Sequence, residues 1–163
     1  INENIDDFNN SNHTDNESNI TEENSIEFNK NLKILLVEDS ILIQKTTKRT
    51  LSREGYNVDV ANNGLECMKL IELNNKYDVI LMDLHMPLMD GLEATKRLRI
   101  YEKDLSFHLK HLIIGLSANS DEDSSNKAIL AGMNDFIAKP LNANELKRCL
   151  KRHWYNQKEC LNS

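Results

Sequence analysis

Three of the strand candidates in this chain hold a run that is apolar at every position: Ile34-Leu35-Leu36-Val37, Val79-Ile80-Leu81-Met82 and Leu112-Ile113-Ile114. A run with no polar side to turn toward water must be covered on both faces, as the interior strands of a parallel sheet are. Helical patterns separate these runs, and two weaker strand candidates stand among them. The predicted order is strand 33–39, helix 40–53, strand 57–61, helix 64–74, strand 78–83, helix 91–101, strand 111–118, helix 121–132, strand 134–140 and a last helix from 144. Strict alternation of this kind argues for an α/β domain whose parallel sheet carries helices on both faces.

The two weaker strands set the order. Val58-Asp59-Val60 alternates, and Asn134-Asp135-Phe136-Ile137-Ala138 is only partly apolar, as edge strands are. Strands one, three and four therefore belong in the middle, with two and five outside. The flavodoxin-like order 2-1-3-4-5, a (βα)5 three-layer sandwich, meets that condition with right-handed crossovers. Helix starts are marked by Asn63 with Glu66, Asp90 with Glu93 and Asn142 with Glu145, each a polar cap with a glutamate three residues on. Gly55 and Gly132 stand where helices should stop.

Charge is distributed unevenly. Residues 1–31 hold eight acids, one base and ten asparagines, whereas the other 132 residues carry 18 acids and 19 bases. The first segment has too little apolar surface to offset its ordering entropy and is expected to be a disordered acidic, Asn-rich linker. The N-x-S/T matches at Asn12, Asn16 and Asn19 arise readily in such a composition. A domain is expected over 32–155, with 156–163 as a C-terminal tail. The first residue, Ile1, suggests a piece of a longer chain. Three scattered cysteines, Cys67, Cys149 and Cys160, fit a reducing compartment better than a disulfide framework. No apolar run approaches the roughly 20 residues that span a bilayer, so a cytoplasmic segment without membrane contact is expected. The parent could still be anchored. The basic cluster Lys147, Arg148, Lys151, Arg152 and His153 falls toward a helix C-terminus, where cations complement the dipole. Nucleic-acid binding is not expected of it.

In such sheets ligands bind beyond the carboxyl ends of the strands, at the switch point between the first and third. Those ends read Glu38-Asp39, Ala61-Asn62, Asp83, Ser117 and Lys139-Pro140. Three carboxylates thus converge with a hydroxyl and an ammonium. Two carboxylates ~5 Å apart repel by about 3 kcal/mol at an effective dielectric of 20. A hard divalent cation relieves this, and Mg²⁺ suits it because it binds a few carboxylates while accepting phosphoryl oxygens. An ionised aspartate in such a place can attack phosphorus without a general base.

The segment from about Leu32 to Trp154 resembles the receiver (response-regulator) domain of two-component signalling. "LLVEDS", "LMDLHMPLMDGLEAT", "GLSA" and "AGMNDFIAKP" match that family in order and spacing, most closely the receivers attached to hybrid sensor histidine kinases. The resemblance implies that Asp83 accepts a phosphoryl group from a phosphohistidine. Glu38, Asp39 and Asp83, with the backbone carbonyl of His85, would hold Mg²⁺. Lys139 would be the family's lysine, followed by a cis bond to Pro140, and Ser117 and Phe136 would be the switch hydroxyl and aromatic. Phenylalanine lacks the hydroxyl often found there, so the expected switch works chiefly through packing. Leu84 to Met86 and Asn119 are expected to flank the approach of a partner's imidazole. The implied partners are a histidine kinase core and a histidine phosphotransfer protein. The fragment would catalyse only its own phosphorylation and dephosphorylation, within a parent expected to be a histidine protein kinase. The oligomeric state is left open. Two alternatives are a stand-alone response regulator and, from another class, a Mg²⁺-dependent phosphohydrolase with an aspartyl nucleophile. The second commonly places another aspartate two residues after the nucleophile, where His85 stands here.

Overall fold

A computed structural model of the chain describes residues 31–73, 76–104, 110–118 and 122–161. Residues 1–30 of the expected 1–31 linker and Asn119 lie outside the described residues. In chain order the elements are β1 (Lys33–Val37), α1 (Ile41–Arg53), β2 (Asn57–Ala61), α2 (Gly64–Glu72), β3 (Val79–Asp83), α3 (Gly91–Asp104), β4 (Leu112–Ser117), α4 (Glu122–Ala131), β5 (Asp135–Ala138) and α5 (Ala143–Leu161). The sheet has the order β2-β1-β3-β4-β5, with every pair parallel. The flavodoxin-like arrangement expected from strand composition is therefore the one formed.

Burial explains why composition predicted the order. β3 and β4 are buried along their whole lengths, whereas β2 and β5 each keep partly exposed positions. Side chains alternate between two cores, one on each face of the sheet. The first joins Leu35, Val37, Ile80, Met82 and Ile113 to Cys67 and Ile71 of α2, Leu98 of α3 and Ala128 of α4. The second joins Ile34, Leu36, Val79, Leu81 and Ile114 to Leu51 of α1 and to Leu146, Cys149 and Leu150 of α5.

Helix starts follow the predicted caps, with one change of partner. Asn63 accepts the Glu66 N–H at 3.0 Å and Asp90 accepts the Glu93 N–H at 2.8 Å. Asn142 takes the Asn144 N–H at 2.8 Å, closer than that of Glu145 at 3.4 Å. The Glu66 carboxylate reaches past its own cap to the backbone and side-chain nitrogens of Asn62 at 2.7 and 2.6 Å. Gly55 and Gly132 carry φ of 90° and 108°, the left-handed geometry of a helix stop.

α5, expected from 144, runs from Ala143 to Leu161. One helix runs longer than its sequence suggests. α3 continues past Tyr101 to Asp104, because Glu102 is an anchor rather than a surface charge. Its side chain is buried and paired with Arg99 Nη1 at 2.7 Å, and it accepts the His111 backbone N–H at 2.8 Å. The His111 ring lies 2.8 Å away. Arg99 goes on to the Gly132 carbonyl and the Asn134 side chain, tying α3 to the entries of β4 and β5.

Burial alone would raise the Glu102 pKa, but the bonds from His111 and Arg99 outweigh it and hold the carboxyl below its ordinary 4.5. A carboxylate with a depressed folded pKa stabilises fully above the unfolded value and loses that contribution as pH falls through the folded one. Replacing Glu102 by Gln should destabilise by about 2–4 kcal/mol, since it leaves a half-buried guanidinium without its counter-charge. The acid limb of the stability curve below pH 4.5 should flatten in the variant, measured by urea unfolding across pH.

Candidate functional site

Parallel register assembles the strand ends before any side chain is considered. Val37 lies opposite Met82, Asp83 opposite Leu116, and Ser117 opposite Ala138. Glu38, Asp83, Ser117 and Lys139 therefore sit within one step of a common line across four strands. Alternation selects which of them share a face. Glu38, Asp83 and Lys139 each follow by two residues a member of the second core, namely Leu36, Leu81 and Ile137.

Lys139 is the centre of the arrangement. Its Nζ lies 2.8 Å from Asp83 Oδ2 and 2.5 Å from Glu38 Oε2, with only 15% of its side chain exposed. Burial opposes its charge, but the hydrogen bonds to Asp83 and Glu38 prevail and hold its pKa above the ordinary value. Glu38 is pushed the other way from a typical paired carboxylate. Its burial raises the pKa more than Lys139 and the Ser40 N–H lower it, and the Asp83 charge adds to the rise. One ammonium does not balance three carboxylates.

Glu38, Asp39 and Asp83 each present a carboxylate oxygen, all within 4.8 Å of one another. Glu38 and Asp83 are buried and Asp39 is exposed, so the cluster opens to solvent on one side. Three hard oxygen donors with an open side fit Mg²⁺, which keeps several waters and tolerates few protein ligands.

Local structure fixes each member. Asp83 Oδ1 accepts the His85 N–H at 3.2 Å, while the His85 residue itself is exposed. Glu38 is held from three sides. Its N–H bonds the Ala61 carbonyl, its Oε1 accepts the Ser40 N–H, and its carbonyl accepts Gln44 Nε2 at 2.5 Å. Gln44 also donates to Asn62 Oδ1 at 2.9 Å, and Asn62 is in turn held by Glu66. Gln44, Asn62 and Glu66 form a supporting chain that sequence reasoning missed. Asn62 at a strand end and Glu66 after a cap were each visible there, but nothing linked them to Gln44.

The loop after β3 folds back over the strand end. The Gly91 N–H bonds the Leu84 carbonyl at 3.2 Å, and a Cβ at Gly91 would stand 2.0 Å from the Asp83 carbonyl oxygen. Only glycine fits there. Met86 and Met89 turn inward, while Leu88 takes φ 68° and is 83% exposed. Ser117 is buried at the end of β4, and its carbonyl accepts the Lys139 N–H at 2.8 Å. Phe136 is half-buried and packs on the first core beside Gly115, its register partner. The Lys139–Pro140 bond is cis. Of the residues expected at the site, Glu38, Asp39, Asp83 and Lys139 are brought into one cluster. Ser117 adjoins it, Phe136 lies on the strand that carries Lys139, and Asn119 lies outside the described residues.

Replacing Gly91 by Ala should push the loop off Asp83 and destabilise the protein by about 2–4 kcal/mol, in the range of other severe overpacking and backbone clashes. Leu88→Gly, which relieves a left-handed residue without touching the core, should be neutral or stabilising by up to about 1 kcal/mol. Thermal unfolding of the two variants side by side checks both.

Comparison with known proteins agrees with this geometry. Residues 34–151 match the family model described as the response regulator receiver domain. The chain is 36% identical over 148 residues to a probable histidine kinase 1 of Oryza sativa subsp. indica, with 74% of this chain and 15% of that protein covered. It is 40% identical over 129 residues to hybrid signal transduction histidine kinase B of Dictyostelium discoideum, with 74% and 6% covered. The chain thus spans only a small part of the length of these relatives. Among solved structures it resembles the receiver domain of a sensor histidine kinase from Pseudomonas aeruginosa PAO1, which has a magnesium ion coordinated in its active-site cleft. The TM-score is 0.65 at 36% identity, covering 75% of this chain and 96% of that one. It also resembles a chain in the co-crystal structure of the Saccharomyces cerevisiae histidine phosphotransfer protein Ypd1 with the receiver domain of Ssk1. There the TM-score is 0.64 at 30% identity, covering 72% and 84%. With the sheet order, the clustered carboxylates and the matching motifs in place, this chain belongs to the response regulator receiver domain family.

Proposed function

We propose that the chain is the phosphoacceptor of a His-to-Asp phosphorelay and that Asp83 carries the phosphoryl group. The observation that bears most of this reading is the buried Asp83 carboxylate held by Lys139 inside a cluster of three acids. An oxygen of Asp83 attacks the phosphorus of a partner's phosphohistidine. The O–P bond forms as the P–N bond breaks, and the departing imidazole takes up a proton. Lys139 stays within reach of both the carboxylate and the incoming phosphoryl oxygens, which keeps charge compensated throughout. Magnesium, held by Glu38, Asp39, Asp83 and the His85 carbonyl, would neutralise charge on the transferring group.

Once attached, the phosphoryl group carries roughly 1.5 to 2 negative charges in place of the single charge of the carboxylate. It would draw the Ser117 hydroxyl and the Lys139 ammonium toward it, leaving space for Phe136 to turn inward from its half-buried position. Because Phe136 has no hydroxyl, the two states would differ by packing. A histidine phosphotransfer protein is the partner that the yeast complex supports, and a histidine kinase core is the donor that the relatives' names support. On the same grounds the chain is read as the receiver segment of a hybrid histidine kinase.

Incubation with Mg²⁺ and a small-molecule acyl phosphate, followed by intact mass, tests the central step. The protein should gain one phosphoryl group, and Asp83→Asn should gain none while remaining folded. Phosphorylation that persists in Asp83→Asn would sink the reading. A second test concerns His85, exposed beside the acceptor. Substituting it by Glu or Ala should change the half-life of the phosphorylated protein by several-fold, and an unchanged half-life would remove His85 from any role in controlling hydrolysis.

A further inference from the structure

At the amino end of β5, three donors of different chemistry converge: Asp135, Cys149 and His153. Lys139, which meets the carboxylate cluster, follows the other end of the same strand, about 13 Å along for four residues of extended chain. Cys149 and His153 are four apart on α5 and so share a face of the helix. Cys149 Sγ lies 3.1 Å and His153 Nε2 3.0 Å from the same Asp135 oxygen, Oδ2. An oxygen, a nitrogen and a sulfur thus all lie within 4.8 Å of one another.

Without a metal the group is joined by hydrogen bonds to Asp135. Arg152 Nη2 also approaches Asp135 Oδ2, at 2.8 Å, so one oxygen faces three partners. A carboxylate offers about four lone-pair sites over two oxygens, and Oδ1 is engaged by the Phe136 N–H at 2.8 Å. The buried thiol is the weakest of the three donors on a crowded atom. A tetrahedral Zn²⁺ with bonds of about 2.0–2.3 Å would set such donors roughly 3.3–3.5 Å apart, a few tenths wider than they stand.

We propose that Asp135, Cys149 and His153 form a binding site for one Zn²⁺-class ion, with water in the fourth position. Donor type sorts metals between the two ends of β5. The all-oxygen cluster suits Mg²⁺, whereas sulfur and imidazole select a softer ion. Charge also balances, because carboxylate and thiolate together match a divalent cation. Binding releases the Cys149 thiol proton to solvent as the S–metal bond forms. Neutral His153 gives its Nε2 lone pair and keeps a proton on Nδ1. Arg152 must leave Asp135, which its side chain can do because it is 66% exposed. Since Asp135 also holds the Phe136 backbone, an ion here would fasten α5 to the segment that carries Phe136. The site does not depend on Asp83 being a phosphoacceptor.

Titration with Co²⁺ in excess Mg²⁺ tests the site by absorption, since only a thiolate ligand gives the near-ultraviolet charge-transfer band. The band should saturate at one equivalent and disappear on adding Zn²⁺. It should be lost in Cys149→Ser and retained in Cys67→Ser. His153→Gln, a change at a partly exposed position that should not disturb folding, should weaken the midpoint at least ten-fold. The proposal is overturned if wild-type protein gives no band, if the band survives in Cys149→Ser, or if His153→Gln binds as tightly as wild type. Should Cys149→Ser misfold by circular dichroism, the His153→Gln result decides alone.

Discussion

The contact between Lys139 and the two buried carboxylates of Glu38 and Asp83 is the interaction on which the rest of the site depends. These residues lie at the ends of three different strands, with Lys139 and Glu38 separated by 101 positions in the chain. Two anionic groups buried side by side repel unless a cation stands between them. A single ammonium offsets only one of those two charges, and the exposed Asp39 adds a third. The strand end is therefore compact enough to persist and still deficient in positive charge. Such a state favours a divalent ion and a transferring phosphoryl group together.

Holding those charges still is the task of neutral structure around them. β3 is buried throughout, so Asp83 has no room to retreat along the strand axis. Gly91 lets the following loop close onto the Asp83 backbone, and Gln44 clasps the Glu38 carbonyl from α1. At the opposite end of the sheet the hydrogen-bonded Glu102, Arg99 and His111 fasten α3 to the start of β4. Polar networks thus sit at both rims of a sheet whose middle is apolar, where unpaired polar groups would be most costly.

Much of the fold was legible because burial leaves its mark on composition. Continuous apolar runs identified β1, β3 and β4 as interior, and that alone limited the strand order to few choices. The clustered acids and Lys139 were legible too, since each stands at a strand's carboxyl end, where parallel topology gathers whatever is placed there. Glu102 and Gln44 were not legible. A glutamate in a polar helix segment reads as solvated, and only the fold brings His111 and Arg99 onto it. Likewise nothing in the sequence links Asp135 to Cys149 and His153, because a strand and a helix must first pack together before their side chains can meet.

The sequence by itself determined the alternation of elements, the central strands, the helix caps and the identity of the charged strand ends. These follow from local periodicity and from residue chemistry, which act over a few neighbouring positions. Only the tertiary structure decided which oxygen of Asp83 faces Lys139, which rim charges are buried, and which donors converge at the start of β5. Those outcomes depend on register between strands and on helices packed across them, and distances of a few tenths of an ångström are set by contacts that no single segment contains.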